Sequence, residues 1–269
     1  MPLWKRSKVG WANNSAMKKL TLFIAVVALL MAATSLQAQN YGIVFGELEV
    51  TEVNAADIFG DGMASYDAAG NMLVLQDGFE YHLSHGLVTI NTGRPFRIVL
   101  EGDAIMVASI ESGDPVVVEA VDEGVLKITS NISGSALKCQ SLTVQPSVLL
   151  DLLSRNSQDE MYALDCKDLT VNQAIVYAEV TTAQLAVHVE TMTLNESWLQ
   201  KPRGGFVNTI WGGICFGDGT PAKIVRIIKE GFGINEIEAP EQQVLKVFED
   251  GHIVIEKDGK RYDVTGREL

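Results

Sequence analysis

The sequence predicts an all-β protein: a right-handed parallel β-helix, which is a β-solenoid, with end caps and a small C-terminal β-hairpin module. Two observations lead to this prediction, a succession of short β-favouring runs and internal repeats within them. From Tyr41 to Leu199, runs such as Phe96 to Leu100 are separated by Gly, Asp, Asn and Ser, which is typical of strands joined by turns. Sustained amphipathic helix patterns are scarce, since the nearest candidate, Ser147 to Leu153, is only a short apolar cluster.

The internal repeat is clearest in two ten-residue segments. Residues 136–145 (ALKCQSLTVQ) and residues 163–172 (ALDCKDLTVN) agree at every apolar position without a gap. Residues 186–195 form a third copy, and a weaker one is expected to start at Ala120, with residues 126–129 in the Leu-Thr-Val place. The starting positions 120, 136, 163 and 186 give spacings of 16, 27 and 23 residues. Such variable spacings predict a solenoid whose loops differ in length while its strands stay in register.

Side-chain alternation predicts which residues of each copy face the core. In the copy that starts at Ala136, Leu137 and Cys139 point inward and Lys138 points outward. After a corner, Leu142 and Val144 point inward again. Parallel stacking of the copies then predicts two buried ladders, one of Leu137, Leu164 and Val187, the other of Leu142, Leu169 and Met192.

Composition divides the chain into five segments. Asp250-Gly251 and Asp258-Gly259 are strong hairpin signals near the C-terminus. We expect a signal peptide in residues 1–38 and an N-terminal β cap with the first coils in residues 39–90. A parallel β-helix with its C-terminal cap is expected in residues 91–231, a polar linker in residues 232–243, and a separate β tail in residues 244–269.

The N-terminal segment has the order of a secretory signal peptide. Lys18 and Lys19 precede an apolar run of fourteen residues, Leu20 to Ala33, and small or polar residues follow. The run is shorter than the roughly 20 residues of a permanent membrane span, and no later run is long enough for one. We therefore expect translation to start at Met17, cleavage after Ala38, and export to the cell surface or beyond, otherwise to the periplasm.

Charge and cysteine content exclude several classes of protein. The formal net charge is −13, and residues 1–39 hold five Lys or Arg and no acid, so the remainder carries 34 acids against 16 bases, or −18. A nucleic-acid partner is not expected for so acidic a chain. Three cysteines in 269 residues are too few for a disulfide-built scaffold, so burial and strand pairing must supply the stability. We expect a monomer without a cofactor.

The residues after the signal peptide resemble a known family. Residues 41–46 (YGIVFG), 50–57 (VTEVNAAD), 60–67 (GDGMASYD) and 71–75 (NMLVL), followed by Leu-Thr-Val repeats, are similar to secreted β-helix repeat proteins of the Bacteroidetes. The tail, in particular its ending Tyr-Asp-Val-Thr-Gly-Arg at residues 262–267, looks like the sorting domains read by type IX secretion. The resemblance covers roughly residues 41–230 and the tail, and implies a surface protein without an established enzymatic activity.

Cysteines and short metal-binding motifs are further candidate sites. Cys139 and Cys166 occupy the same repeat position, which allows either a disulfide between adjacent coils or a column of small inward residues. His82 and His85 lack the third ligand of a zinc site and are predicted to be surface residues. The Gly-Asp-Gly triplets, centred at residues 61 and 218, lack the pattern of a calcium loop and are predicted to form tight turns.

Two function classes remain open. The first is a non-enzymatic adhesion-like module that contacts a glycan or another cell-surface ligand, with Trp198, Trp211, Tyr66 and Tyr81 as possible contact residues, although packing in the core or a cap competes for each. The alternative is a polysaccharide-active β-helix lyase or hydrolase. Its nearest outward carboxylates are Asp165 and Asp168, but no companion catalytic motif accompanies them.

Overall fold

The computed structural model describes residues 39–131, 134–155 and 161–231, together with the backbone of three tail strands between residues 245 and 262. The predicted signal peptide and the predicted linker lie outside the described residues. All regular secondary structure within the described part of the chain is β-strand. The strands stack as parallel coils into a β-solenoid of about five turns, which confirms the predicted fold class.

Three antiparallel strands cover the N-terminal end of the solenoid. The strand β1 (Asn40–Phe45) pairs with β2 (Leu48–Thr51) and with the end of the first long strand of the solenoid. The strand β3 (Ala64–Asp67) pairs with β4 (Met72–Gln76), which is the first strand of the second sheet. These strands therefore occupy the edges that the first coil would otherwise leave open to other chains.

Three faces, each built from strands of successive coils, form the body. Face 1 consists of β4 (Met72–Gln76), β6 (Phe96–Glu101), β8 (Val116–Ala120), β11 (Ser141–Val144), β14 (Asp168–Asn172) and β17 (Thr191–Asn195). Face 2 contains the first parts of β5 (Phe79–Ile90) and β7 (Ala104–Ser112), then β9 (Gly124–Ser130), β12 (Val148–Ser154) and β15 (Ile175–Val180). Face 3 contains the last parts of β5 and β7, then β10 (Leu137–Lys138), β13 (Leu164–Asp165) and β16 (Val187–His188).

One coil is one passage around the three faces. Coils 1 and 2 are β4–β5 and β6–β7, in which one long strand bends from face 2 to face 3. Coils 3, 4 and 5 use three separate strands each: β8–β10, β11–β13 and β14–β16.

The two predicted buried ladders are present in the predicted register. Leu137 pairs with Leu164, which pairs with Val187, and all three are buried. On face 1, Leu142 pairs with Leu169, which pairs with Met192; the two leucines are buried and Met192, in the last strand, is partly so. Full burial of a leucine side chain contributes about 1.5–3 kcal/mol to the free energy of unfolding. Since one coil cannot bury its inner face alone, the stacking of coils is what stabilises the fold.

The predicted repeat copy at Ala120 is wrong. Leu126 pairs with Leu150 on face 2, whereas the residues equivalent to Leu142-Thr143-Val144 are those of the segment 116–118 on face 1. The face-3 residue equivalent to Leu137 is Ile110, so the true spacings are 27, 27 and 23 residues between Ile110, Leu137, Leu164 and Val187. Residues 116–118 and residues 126–129 both alternate between inward and outward side chains. This alternation does not tell which face of the solenoid a strand belongs to.

The corner between faces 1 and 2 repeats the same unusual backbone conformation. Ser147, Gln173 and Glu196 follow the last three face-1 strands, β11, β14 and β17, and have φ angles of 67°, 45° and 49°. Residues other than glycine seldom adopt positive φ. Their recurrence shows that the corner geometry is a property of the coil rather than of one residue type.

Two antiparallel pairs of strands cover the C-terminal end of faces 2 and 3. On face 2, β21 (Ile224–Lys229) pairs with β15, and β18 (Ser197–Lys201) pairs with β21. On face 3, β20 (Gly213–Cys215) pairs with β16, and β19 (Phe206–Asn208) pairs with β20. We call the second pair, with its connecting turn, the cap hairpin (residues 206–215).

The tail forms a small sheet of its own. Its strands are β22 (Leu245–Glu249), β23 (His252–Lys257) and β24 (Lys260–Tyr262), and successive strands pair antiparallel. Among the described residues these strands pair only with one another. This is the arrangement that the two Asp-Gly pairs predicted, although those four residues themselves lie outside the described part of the chain.

Candidate functional site

A column of polar side chains runs along face 3, one from each coil. The register pairs Thr89 with Glu111, Glu111 with Lys138, Lys138 with Asp165, and Asp165 with His188. These residues alternate along their strands with buried neighbours, so their side chains point away from the core. Adjacent strands are about 4.8 Å apart, so this column, the face-3 ladder, presents closely spaced groups along the solenoid axis.

The charged members of the ladder interact in two pairs. The Nζ atom of Lys138 lies 3.4 Å from Oε1 of Glu111, and both side chains are about half exposed. Nδ1 of His188 lies 2.7 Å from Oδ1 of Asp165. A carboxylate only accepts hydrogen bonds, so the proton of this short bond belongs to Nδ1. Exposed pairs of this kind contribute at most about 1 kcal/mol to stability, so their main effect is to fix the positions of the side chains.

An aromatic ring stacks on the last member of the ladder. The ring of Tyr162 lies parallel to the imidazole of His188, with 4.8 Å between ring centres and 15° between planes. The Nε2 edge of His188 meets the cap hairpin: a Cβ atom added to Gly212 would lie 2.9 Å from Nε2. The imidazole is therefore held between Tyr162, Asp165 and the backbone at Gly212.

Two adjoining depressions lie along the ladder. One, of about 390 Å³, is lined by Ser109, Tyr162 and Asp165 among others. The second, of about 400 Å³, is lined by residues that include Thr89 and Gln140. Glu111 and Lys138 line both depressions, so we treat them together as the face-3 groove. Concave surfaces with a few convergent polar groups and an aromatic side chain are typical of ligand sites.

The cap hairpin places an exposed tryptophan next to the end of the ladder. Gly213 pairs with His188, and the N–H of Val189 donates to the carbonyl oxygen of Gly212 at 2.8 Å. Trp211 directly precedes these glycines and is 47% exposed. Of the four aromatic residues selected from the sequence, Trp211 is the one that this pairing places beside the ladder.

The other three predicted contact residues lie elsewhere. Trp198 is 45% exposed, but it belongs to β18, which extends face 2. Tyr66 is only 6% exposed and its hydroxyl donates to Oδ1 of Asn71 at 2.6 Å, so it is a core residue and its proposed ligand contact is wrong. Tyr81 packs against two phenylalanine rings under the N-terminal cap, and burial raises the pKa of its hydroxyl.

The two predicted outward carboxylates do not face a common ligand. Asp165 lies on face 3 in the ladder, whereas Asp168 lies on face 1 and accepts a hydrogen bond from the Thr191 hydroxyl at 2.6 Å. A strand corner separates them. Glycosidases need two carboxyl groups that flank one bond, so this pair does not provide that arrangement.

The cysteines form part of a small inward column. Cys139 and Cys166 are free thiols, buried side by side directly after β10 and β13. The same column contains Ser112 in the preceding coil and Val189 in the next one. The predicted column of small residues is therefore present, while the alternative of a disulfide stays a prediction. Cys215 is a third buried free thiol, in the cap hairpin.

The two Gly-Asp-Gly aspartates lie in tight turns, as predicted. Oδ1 of Asp61 accepts the N–H of Met63 at 2.9 Å. Oδ1 of Asp218 accepts the N–H and the hydroxyl of Thr220, and these bonds hold the pKa of Asp218 below its usual value. Nε2 of His82 lies 3.4 Å from Glu80 at the surface, while the side chain of His85 lies outside the described residues.

The repeat pattern predicts that Lys138 and Asp165 lie on the outside of their coils, and His188 holds the same position in the third copy, but the pattern does not join the three residues into a site. The sequence does contain a signal for this column, because the three residues hold the same position in three aligned repeats. Glu111 was missed because its coil was misaligned. Tyr162 precedes the repeat by one residue and carries no periodic signal, so only the structure reveals its stacking on His188.

The fold and the face-3 groove are the two features of this protein that bear on its function. Within residues 39–231 and the tail strands, apart from the gaps given above, no cluster of three or more potential ligands is placed to hold a metal ion. The described residues also form no helix with the length and apolarity needed to cross a membrane. No protein family, no curated protein and no solved structure matches this chain.

Proposed function

We propose that this protein is an exported, non-enzymatic β-solenoid that binds a carbohydrate in the face-3 groove. One observation supports this above all: the register brings Glu111, Lys138 and Asp165 into one column that ends at His188, which stacks on Tyr162 and pairs with the cap hairpin two residues after Trp211. Sugar rings have apolar faces that pack on aromatic side chains. Their hydroxyl groups form hydrogen bonds that are strongest with charged partners. The groove offers both kinds of contact on a rigid surface.

Catalysis is the second candidate, because the His188–Asp165 pair resembles a base held by a carboxylate. In such a pair Nε2 must face the substrate. Here Nε2 lies against the backbone of the cap hairpin at Gly212, and the ring face is occupied by Tyr162. The pair is thus better placed to anchor the end of the groove than to remove a proton from a polysaccharide.

A glycan array combined with a digestion assay separates these two functions. We expect the purified mature protein to bind a set of related glycans and to release no product from the corresponding polysaccharides over prolonged incubation. Binding needs no proton transfer, so Asp165→Asn should weaken it only by the loss of one charged contact. Cleavage by the wild-type protein that stops in Asp165→Asn, and continues in Asp168→Asn, would establish the enzyme instead.

Export and sorting are proposed from the two ends of the chain. The basic and apolar order of residues 18–33 supports cleavage after Ala38, so the intact mass of secreted protein should correspond to a chain that starts at Gln39.

The tail strands pair only with each other within the described residues, as a detachable sorting module would require. Deleting residues 244–269 should leave the melting temperature of the body unchanged and retain the protein in the periplasm of a host with type IX secretion. A body that unfolds without the tail would contradict this role.

A further inference from the structure

Two thiols stand next to each other in successive coils of the core. Lys138 pairs with Asp165 in parallel register, and the next residues along the two strands are Cys139 and Cys166. The N–H of Cys139 donates to the carbonyl oxygen of Asp165 at 3.0 Å, which continues the pairing one residue further. Both residues are buried, with only 7% and 3% of their surface exposed.

The register places the Cα atoms of Cys139 and Cys166 within the range that a disulfide spans. Paired parallel strands hold equivalent Cα atoms about 4.8 Å apart, within the roughly 4.4–6.8 Å that disulfides span. Both residues follow the ends of two-residue strands, where the backbone is less constrained than inside a long ladder. Because equivalent residues of parallel strands point the same way, both side chains lie on the inward face of the coil.

We propose that Cys139 and Cys166 form a disulfide that links coil 3 to coil 4, made by exchange with a small disulfide oxidant such as oxidised glutathione. One cysteine thiolate attacks the S–S bond of the oxidant, which gives a mixed disulfide and one released thiol. The other cysteine then attacks the protein sulfur of that mixed disulfide and displaces the second small thiol. The protein loses two hydrogens, and one small disulfide is reduced to two thiols.

The bond forms during folding rather than in the finished solenoid. The hydrogen bond to Cys166 and burial together raise the pKa of the Cys139 thiol well above its usual value, and the thiolate is the attacking species. In the folded protein both residues are also largely buried, which restricts the access of the oxidant to their sulfurs. An exported chain meets oxidants before its coils have closed, which is when both thiols are accessible.

The disulfide closes a loop of one complete coil. Cys139 and Cys166 are 27 positions apart, the same interval that separates Leu137 from Leu164. Cross-linking a loop of this length reduces the entropy of the unfolded chain. For a protein of this size the melting temperature of the oxidised form should exceed that of the reduced form by on the order of 5–10 °C.

The test uses the full mature chain, unfolded under reducing conditions and refolded in a reduced and oxidised glutathione buffer. Intact mass should fall by two hydrogens, a peptide map should join the 139 and 166 peptides, and reduction should lower the melting temperature. Cys215→Ser is the matched control and should keep the cross-link, whereas Cys166→Val, which copies the next coil, should abolish it. Refolded protein with three free thiols, a bridge that contains Cys215, or an oxidised form no more stable than the reduced one would overturn the proposal.

Discussion

Replacing Leu169 by Asp is expected to unfold the solenoid. Leu169 lies at the centre of the buried ladder on face 1, between Leu142 and Met192, and is 1% exposed. An unpaired carboxylate in this apolar column costs several kcal/mol, in addition to the lost packing of the leucine. The total stability of a domain is only about 5–15 kcal/mol. The variant should therefore lose its cooperative thermal transition, which circular dichroism measures, and should accumulate as insoluble protein.

The adjacent position provides the control for this prediction. Thr170 belongs to the same strand and points outward, in register with Thr143 and Thr193. Thr170→Asp places the same charge one residue further along the chain but in contact with water, so its melting temperature should stay within a few degrees of the wild type. Equal destabilisation by the two substitutions would mean that the facing of this strand is reversed.

Replacing Gly213 by Ala is expected to separate the cap hairpin from coil 5. A Cβ atom at this position would lie 2.2 Å from the carbonyl oxygen of Val187 and 2.7 Å from a methyl carbon of Leu185. The first neighbour is backbone, so the hairpin must move. Forced overpacking of this kind costs about 1–3 kcal/mol, and the melting temperature should fall by roughly 3–10 °C. Glycan binding should weaken as well, because the same hairpin holds Trp211 beside His188.

Gly217→Ala is the matched control in the same region. An added Cβ atom there would meet only the carbonyl oxygen of Gly204 at 3.5 Å, an ordinary contact distance. Thermal stability and glycan binding should both be close to those of the wild type. If Gly213→Ala melts at the same temperature as Gly217→Ala, the cap hairpin does not pack on coil 5 and the aromatic end of the groove is wrongly placed.

The repeats predicted the later coils well because their inward residues are nearly identical. Coils 3 to 5 share the pattern around Leu137, Leu164 and Val187, and the register follows from it directly. Coil 2 contributes Ile110 and Glu111 instead, within a long strand that bends around a corner. The sequence contains no mark of that corner, and alternation alone assigns a residue to the inside or the outside without saying which face it is on.

The candidate site was less predictable than the fold for a physical reason. Each residue of the ladder looks like an ordinary solvated side chain when taken singly, and the site exists only because parallel stacking places equivalent positions about 4.8 Å apart. Trp211 belongs to an antiparallel hairpin whose Gly213 pairs with His188 of coil 5. Such a contact depends on the path of the C-terminal cap, which has no repeat pattern. Tyr66, by contrast, is an aromatic residue of the type that binds sugars, but it is buried in the core.

The central claim is that the face-3 groove holds the carbohydrate, and titration of two tryptophan variants tests it most directly. Trp211 lies beside the ladder, whereas Trp198 has nearly the same exposure but belongs to face 2. The glycan selected on the array should bind Trp211→Ala at least about tenfold more weakly than the wild type, since truncating an aromatic hot-spot residue costs about 2 kcal/mol or more and about 1.4 kcal/mol is tenfold. Trp198→Ala should bind within about twofold of the wild type. Loss of binding in Trp198→Ala with full affinity in Trp211→Ala would contradict the claim and place the ligand on the other side of the solenoid.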